Sequence, residues 1–181
     1  MTDRTYAELL SDLDEFARDL DSREQANRLY GLFAPLLDRV EQWDEELTDE
    51  PMMSTPEAVR AIRRAAAGQP VDADAVHERL CLVGFVEDQD VDLHVMGQTA
   101  VVAAQWLSLL VGRDLRTILV PDEEPLPPYA PSRFTRIVDL LAWTRSNQSY
   151  WCWEDADAYA EFADYPAATH ELTTMHQQIT A

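Results

Sequence analysis

The sequence predicts a mostly α-helical fold: an amphipathic helical domain with a minor β-hairpin or short strands around residues 82–95 and 115–120. Three observations lead to this prediction. Apolar residues recur at intervals of three and four along most of the chain, which is typical of amphipathic helices. Ser, Asp, Gly and Pro stand at the ends of these segments, where helices begin and end. Only the two short stretches have the brief or alternating apolar runs of strands.

The length and composition predict a single domain over residues 1–181. With 46% hydrophobic residues, a chain of 181 residues fills one core and is short for two. Four parts follow one another along it. They are a helical N-terminal part (1–68), a middle part with a buried helix (72–120), a proline-rich loop (121–131) and C-terminal helices (132–181).

The N-terminal part begins with the most regular pattern in the chain, a helix with an apolar stripe from Tyr6 to Leu20. An acidic row occupies the opposite face of this helix: Glu8, Asp12, Glu15 and Asp19. Asp21 and Glu24 have the spacing of a capping box and open a second helix. Pro35 lies within that helix and lacks an amide N–H, so we expect a kink or a break there.

Two further helices have recognisable ends. Ser54 and Glu57 form the pattern of a capping box, and Gly68 ends the third helix. Asp72 begins a fourth helix that runs to Gly84.

The pattern then changes to short apolar runs. In "FVEDQDVDLHV" (85–95) apolar and polar residues alternate over 91–95, which predicts a strand or a small hairpin. The stretch "TAVVAAQWLSLLVG" (99–112) is apolar nearly all round and predicts a central buried helix. "LRTILV" (115–120) fits one more short strand.

The C-terminal third begins with five prolines between residues 121 and 131, which predict an extended surface connection. Ser132 opens another amphipathic helix that reaches Trp143. Two shorter helices are expected at about 154–164 and 168–179, divided by Pro166.

Charge is the strongest compositional signal. The chain has 34 acidic residues against 14 arginines, no lysine, and a net charge of −20. Residues 1–50 carry a net charge of −10, and residues 151–181 contain six acids and no arginine. Such a charge repels nucleic-acid phosphates and anionic lipids, so we expect neither direct nucleic-acid binding nor membrane binding.

Several chemistries lack their motifs. The chain has no G-x-S-x-G elbow and no glycine-rich phosphate loop. His170 and His176 are six residues apart, which places them on opposed faces of a helix and not at zinc-ligand spacing. We therefore expect no cofactor, no metal and no catalytic site. Without a secretory signal, a membrane span or a disulfide framework, a cytoplasmic location is expected.

Two features are candidates for binding a partner. The first is the acidic row of the first helix together with a second row, which consists of Asp38, Glu41 and Glu45. The second is an aromatic turn beside carboxylates, which contains Trp151 and Trp153 and suits an arginine-bearing partner. The alternatives are solvated helix faces for the rows and a lid over the core for the two tryptophans.

The sequence therefore predicts a non-enzymatic acidic protein that binds and blocks a basic protein surface. An inhibitor, an immunity or antitoxin partner, or a phage counter-defence factor would act in this way, and nucleic-acid mimicry fits the spacing of the rows. Two alternatives remain: a structural or assembly protein whose acidity reflects a salt-adapted or GC-rich host, and an enzyme with an unrecognised carboxylate site. A homodimer also remains open.

Overall fold

The computed structural model describes residues 4–42, 53–84, 91–115, 132–146 and 166–181, and their regular elements are helices. The elements are α1 (Tyr6–Arg18), α2 (Ser22–Phe33), a 3₁₀ turn (Ala34–Leu36), α3 (Leu37–Glu41), α4 (Thr55–Ala66), α5 (Ala73–Gly84), α6 (Val91–Val111), α7 (Arg133–Arg145) and α8 (Pro166–Thr180). The mostly α-helical class is thereby confirmed.

Side-chain caps fix where several helices begin. Asp21 accepts a hydrogen bond from the backbone N–H of Glu24 at the start of α2, which is one half of the predicted capping box. Ser54 and Glu57 form the predicted reciprocal capping box of α4. The spacing of these residues thus predicts both helix starts, because each cap satisfies backbone N–H groups that have no partner within the helix.

The proline in the second helical segment produces a local change of helix type. Pro35 lies in the 3₁₀ turn Ala34–Leu36, which joins α2 to the short helix α3. The predicted break is confirmed, and its cause is the missing amide N–H of proline.

The prediction of a β-hairpin around 82–95 is wrong for the part of it that the structure describes. Residues 82–84 belong to α5, and residues 91–95 form the first turn of α6. Short apolar runs fit a strand and a buried helix equally well. Here the run continues without interruption into the long apolar helix α6. The second proposed strand, 115–120, lies outside the described residues except for Leu115, which belongs to no helix or strand.

The C-terminal segment is helical, but its boundary differs from the expectation. Pro166 is the first residue of α8 and does not precede it, which agrees with the preference of proline for the first turn of a helix. The predicted proline-rich loop 121–131 and the predicted helix 154–164 lie outside the described residues.

The core is built around α6, which packs against α2, α5 and α7 and also contacts α3 and α4. Trp106 at its centre is fully buried and donates its indole N–H to the carbonyl oxygen of Ala26, at 2.7 Å. The ring of Trp106 lies 5.4 Å from that of Tyr30 and 5.6 Å from that of Phe33, centroid to centroid. Apolar residues of the other helices, α1 and α8 included, join the same core. This packed core is the rigid support for the outer faces of α1 to α4.

Candidate functional site

The acidic row on α1 is brought together on one face, but two of its four carboxylates are engaged within the chain. Glu8 accepts a hydrogen bond from the backbone N–H of Thr5 at 2.8 Å, which lowers the pKa of the Glu8 carboxyl. Asp12 forms an ion pair with Arg4. Glu15 and Asp19 are exposed, and neither has an ion-pair partner among the residues that the structure describes.

Asp12 also connects α1 to the last helix. The imidazole Nε2 of His176 in α8 lies 3.8 Å from a carboxylate oxygen of Asp12. Partial burial lowers the pKa of His176, although Asp12 opposes this shift. Since His176 is neutral near pH 7, Arg4 is the main source of positive charge beside Asp12.

The second acidic row is neutralised at the interface between α3 and α4. The guanidinium of Arg63 lies 2.5 Å from a carboxylate oxygen of Asp38 and 2.6 Å from one of Glu41. Arg60 approaches Glu41 to 3.6 Å. Together α3 and α4 contain four arginines and three carboxylates, so this part of the surface has no excess of negative charge.

The two rows belong to different parts of the bundle. The first row lies on α1, which packs against α7 and α8, whereas α3 packs against α4 and α6. Between residues 6 and 28 there are seven carboxylates and three arginines. The negative surface of the described residues is therefore on α1 and the first turns of α2. Glu45, Trp151 and Trp153, the other proposed binding residues, lie outside the described residues.

A polar cluster that the sequence does not predict joins α5 to the end of α6 and the start of α7. Arg113 binds both carboxylate oxygens of Asp74, at 3.0 and 2.6 Å. Arg133 pairs with Asp114. The partners in these pairs are 39 and 19 residues apart in the chain, so no local motif reveals them.

His77 lies within this cluster and is only 4% exposed, whereas histidine is on average of intermediate burial. Burial, reinforced by the nearby charge of Arg133, lowers the pKa of His77 to about 4. The Sγ atom of Cys81 is 3.7 Å from Nδ1 and 3.9 Å from Nε2 of this ring. Because the sulfur is almost equally far from both nitrogens, the contact lacks the alignment of a nucleophile hydrogen-bonded to its base.

A small groove opens where the C-terminal ends of α4 and α6 meet the start of α2. It has a volume of about 260 Å³ and is lined by Arg23, Pro70, Val71, Leu107, Leu110 and Val111, among others. Val111 is 40% exposed, which is unusual for a large apolar side chain among the described residues. A single exposed apolar side chain is normal on a protein surface and does not by itself mark a binding site.

Within the described residues no three side chains of the metal-binding types form a cluster that fits a metal ion. None of the described helices has the length and apolar composition needed to cross a membrane. No family model, no curated protein and no solved structure matches the chain.

Proposed function

We propose that this protein is a non-enzymatic, cytoplasmic binding protein whose acidic surface occupies and blocks a basic surface of another protein. The observation that supports the proposal is the excess of carboxylates on α1 and the start of α2, with Glu15 and Asp19 exposed and without ion-pair partners in the described residues. A cationic partner would supply the missing positive charge.

The arginines of the chain do not supply it. At least eight of the thirteen arginines among the described residues are engaged in ion pairs with carboxylates of the same chain. Among the described residues the carboxylates still exceed the arginines by four, 17 against 13, and this excess is balanced from outside the molecule. Exposed charge of this kind accelerates the encounter with an oppositely charged surface and orients the two molecules relative to each other.

A basic groove that normally holds nucleic acid is the partner surface that best fits this mechanism. The Cβ atoms of residues three and four apart on a helix are about 5–6 Å from one another, so carboxylates in such a row can be spaced similarly to the phosphates along a nucleic-acid strand. Occupation of the groove by α1 would exclude the nucleic acid. The partner would thus be inhibited without any chemical reaction.

A labelled arginine-rich peptide such as nona-arginine is a defined probe for the acidic surface. We expect it to bind and to lose affinity as ionic strength rises from about 0.01 M to about 0.15 M, because the screening length falls from about 30 Å to about 8 Å. Fluorescence anisotropy measures both affinities. Binding that does not change with ionic strength would contradict the proposal.

Two double variants of equal charge locate the surface. Glu15→Gln/Asp19→Asn removes two carboxylates that have no ion-pair partner among the described residues, and it should weaken binding of the peptide roughly twofold to thirtyfold, at about 0.2–1 kcal/mol per exposed charge. The matched control, Asp38→Asn/Glu41→Gln, changes the net charge equally but at carboxylates that already face Arg63, so its effect should be smaller. Equal weakening by both variants would assign binding to net charge alone and reject α1 as the site.

The ability to block a basic surface can be measured separately. Protamine, an arginine-rich protein, is first bound to labelled duplex DNA. Addition of the acidic protein should then release the DNA, as measured in a gel-shift titration. The Glu15→Gln/Asp19→Asn variant should need a higher concentration for the same release. Failure of the unaltered protein to release DNA would show that it does not compete with polyanions.

A further inference from the structure

The acidic row of α1 lies beside the last helix, and His176 is a point at which the two meet. The last helix, α8, packs against α1, α2 and α7. The imidazole Nε2 of His176 is 3.8 Å from a carboxylate oxygen of Asp12, which is within the distance of an ion pair once the ring is protonated. The interface between α1 and α8 therefore contains a group whose charge changes between pH 5 and pH 8 in an ordinary environment.

Two charged groups act on His176 in addition to its burial. Burial lowers the pKa of His176 below its ordinary value of 6.5, Asp12 opposes this shift, and Arg4 reinforces it. Arg4 pairs with the same carboxylate oxygen of Asp12 that faces the imidazole. The ring is therefore neutral at pH 7.5, and it takes up a proton as the pH falls below 6.5.

Charged side chains that approach α8 from its other two neighbours are paired elsewhere. Arg28 of α2 donates a hydrogen bond to the carbonyl oxygen of Ile179 at 2.8 Å, and its guanidinium lies 4.0 Å from Glu24. Arg145 of α7 pairs with Glu171 of α8 at 2.9 Å. A proton on the imidazole of α8 therefore acts mainly on the carboxylate of α1 that faces it.

Asp12 is accessible to a partner although it is paired within the chain. Its side chain is 42% exposed, whereas that of His176 is 18% exposed. Within the acidic row, Glu8 precedes it by four residues and Glu15 follows it by three. At pH 7.5 Asp12 faces the positive charge of Arg4, and protonation of His176 adds a second positive charge. A carboxylate between two cations attracts a third cation less strongly.

We propose that His176 regulates the acidic surface through pH: uptake of a proton by its imidazole places a second cation beside Asp12 and weakens the attraction of α1 for a basic partner. The inference rests on the proposed function and adds a means of regulation to it. The basic partner is held at neutral pH and released on acidification. By linkage, a bound cationic partner in turn disfavours the protonated form of His176.

Binding of labelled nona-arginine at two pH values tests the inference. Arginine keeps its charge throughout and carboxyl groups ordinarily titrate near pH 4, so histidine is the side chain that titrates between pH 7.5 and pH 5.5. We expect the affinity to be about twofold to fivefold lower at pH 5.5, in keeping with the strength of exposed charge pairs. Fluorescence anisotropy at an ionic strength of about 0.1 M measures both affinities, since charges more than about 10 Å apart are then largely screened.

Two histidine variants locate the effect. In His176→Gln the ratio of the affinities at pH 7.5 and pH 5.5 should fall towards one, because glutamine takes up no proton. His170→Gln is the matched control, since His170 is exposed on α8 and has no ion-pair partner among the described residues. Its replacement should leave the ratio close to that of the unaltered protein. A circular dichroism melt shows that both variants fold.

Nuclear magnetic resonance provides a second measurement, which needs no variant. The ring signals of His176 are followed against pH in the free protein and in the presence of saturating nona-arginine. A given ratio of affinities for the two protonation states requires the same ratio between the proton dissociation constants of the bound and the free protein. The pKa of His176 should therefore fall when the peptide binds, by the logarithm of that ratio. A pKa that rises or stays the same would overturn the inference.

The outcomes separate this inference from the proposed function. If nona-arginine does not bind at pH 7.5, both fail. If it binds with the expected dependence on salt and on Glu15 and Asp19, but His176→Gln leaves the affinity ratio unchanged, the acidic surface stands and regulation by His176 fails. An equal reduction of the ratio by both histidine variants would assign the effect to net charge and also reject His176. A ratio that His176→Gln abolishes and His170→Gln preserves supports the regulation.

Discussion

His77 illustrates how burial determines the chemistry of one side chain. The imidazole is 4% exposed, and the charges near it include Arg133, Arg113 and Asp74. Burial disfavours the imidazolium form, the two guanidiniums disfavour it further, and Asp74 opposes them. The pKa of His77 is therefore about 4, compared with an ordinary value of 6.5. The folded protein keeps this histidine neutral throughout the neutral range.

The depressed pKa predicts that stability falls on acidification. Above pH 6.5 the histidine is neutral in both states, and its contribution to stability is fully present. As the pH falls from 6.5 towards 4, the unfolded chain binds a proton that the folded chain does not, and stability declines. Urea unfolding at several pH values measures this decline. In the His77→Gln variant the slope of the unfolding free energy against pH in this window should be smaller, by up to the equivalent of one proton taken up on unfolding. An identical slope in the variant would show that other groups cause it.

The starts of two helices could be predicted from the sequence, whereas contacts between helices could not. The caps at Asp21 and Ser54 were predictable because capping depends on residues three positions apart. The start of α6 was not predictable, because apolar and polar residues alternate over 91–95 as they do in a short strand. The pairing of Arg63 with Asp38 and Glu41 was also beyond the sequence. Arginine and carboxylates 22 to 25 residues apart meet only through the packing of α3 on α4.

Two glycines, Gly84 and Gly97, lie next to each other where α5 crosses α6. A Cβ atom on Gly84 would lie 2.4 Å from Cγ2 of Val101, whereas one on Gly97 would have its nearest neighbour at 3.5 Å. Valine is held in few side-chain conformations and gives way at a cost. The two positions at the same crossing therefore differ in their tolerance of a methyl group.

Alanine substitutions test this difference. Gly84→Ala should destabilise the protein by about 1–3 kcal/mol through overpacking, as measured by chemical denaturation. Gly97→Ala, in the interior of α6, should be neutral or stabilising by up to about 1 kcal/mol, because alanine favours a helix. The double variant Gly84→Ala/Val101→Ala should recover part of the loss. Equal effects of the two single substitutions would contradict the close approach at Gly84.

Charge is distributed unevenly over the molecule as a whole. The described residues contain 17 acidic residues and 13 arginines, a net charge of −4, and the remaining segments contain 17 and one, a net charge of −16. Internal ion pairs, such as that of Arg145 with Glu171 at 2.9 Å, balance much of the charge on the helices. The helices therefore do not depend on salt to suppress repulsion among their own side chains.

This distribution predicts how the protein responds to salt. At about 0.01 M ionic strength the screening length is about 30 Å, so the internal ion pairs strengthen while repulsion among the other segments grows. We expect the helices to remain folded, with an unchanged circular dichroism signal and a cooperative melt, because their own charges nearly balance.

If the acidity served only as an adaptation to salt, the protein would lose helix at low ionic strength and recover it in roughly 1 M KCl, where the screening length is about 3 Å. Sucrose is the control, since it favours compact states without screening charge. Recovery with KCl but not with sucrose would contradict the expectation and favour an environmental origin of the acidity over a binding role.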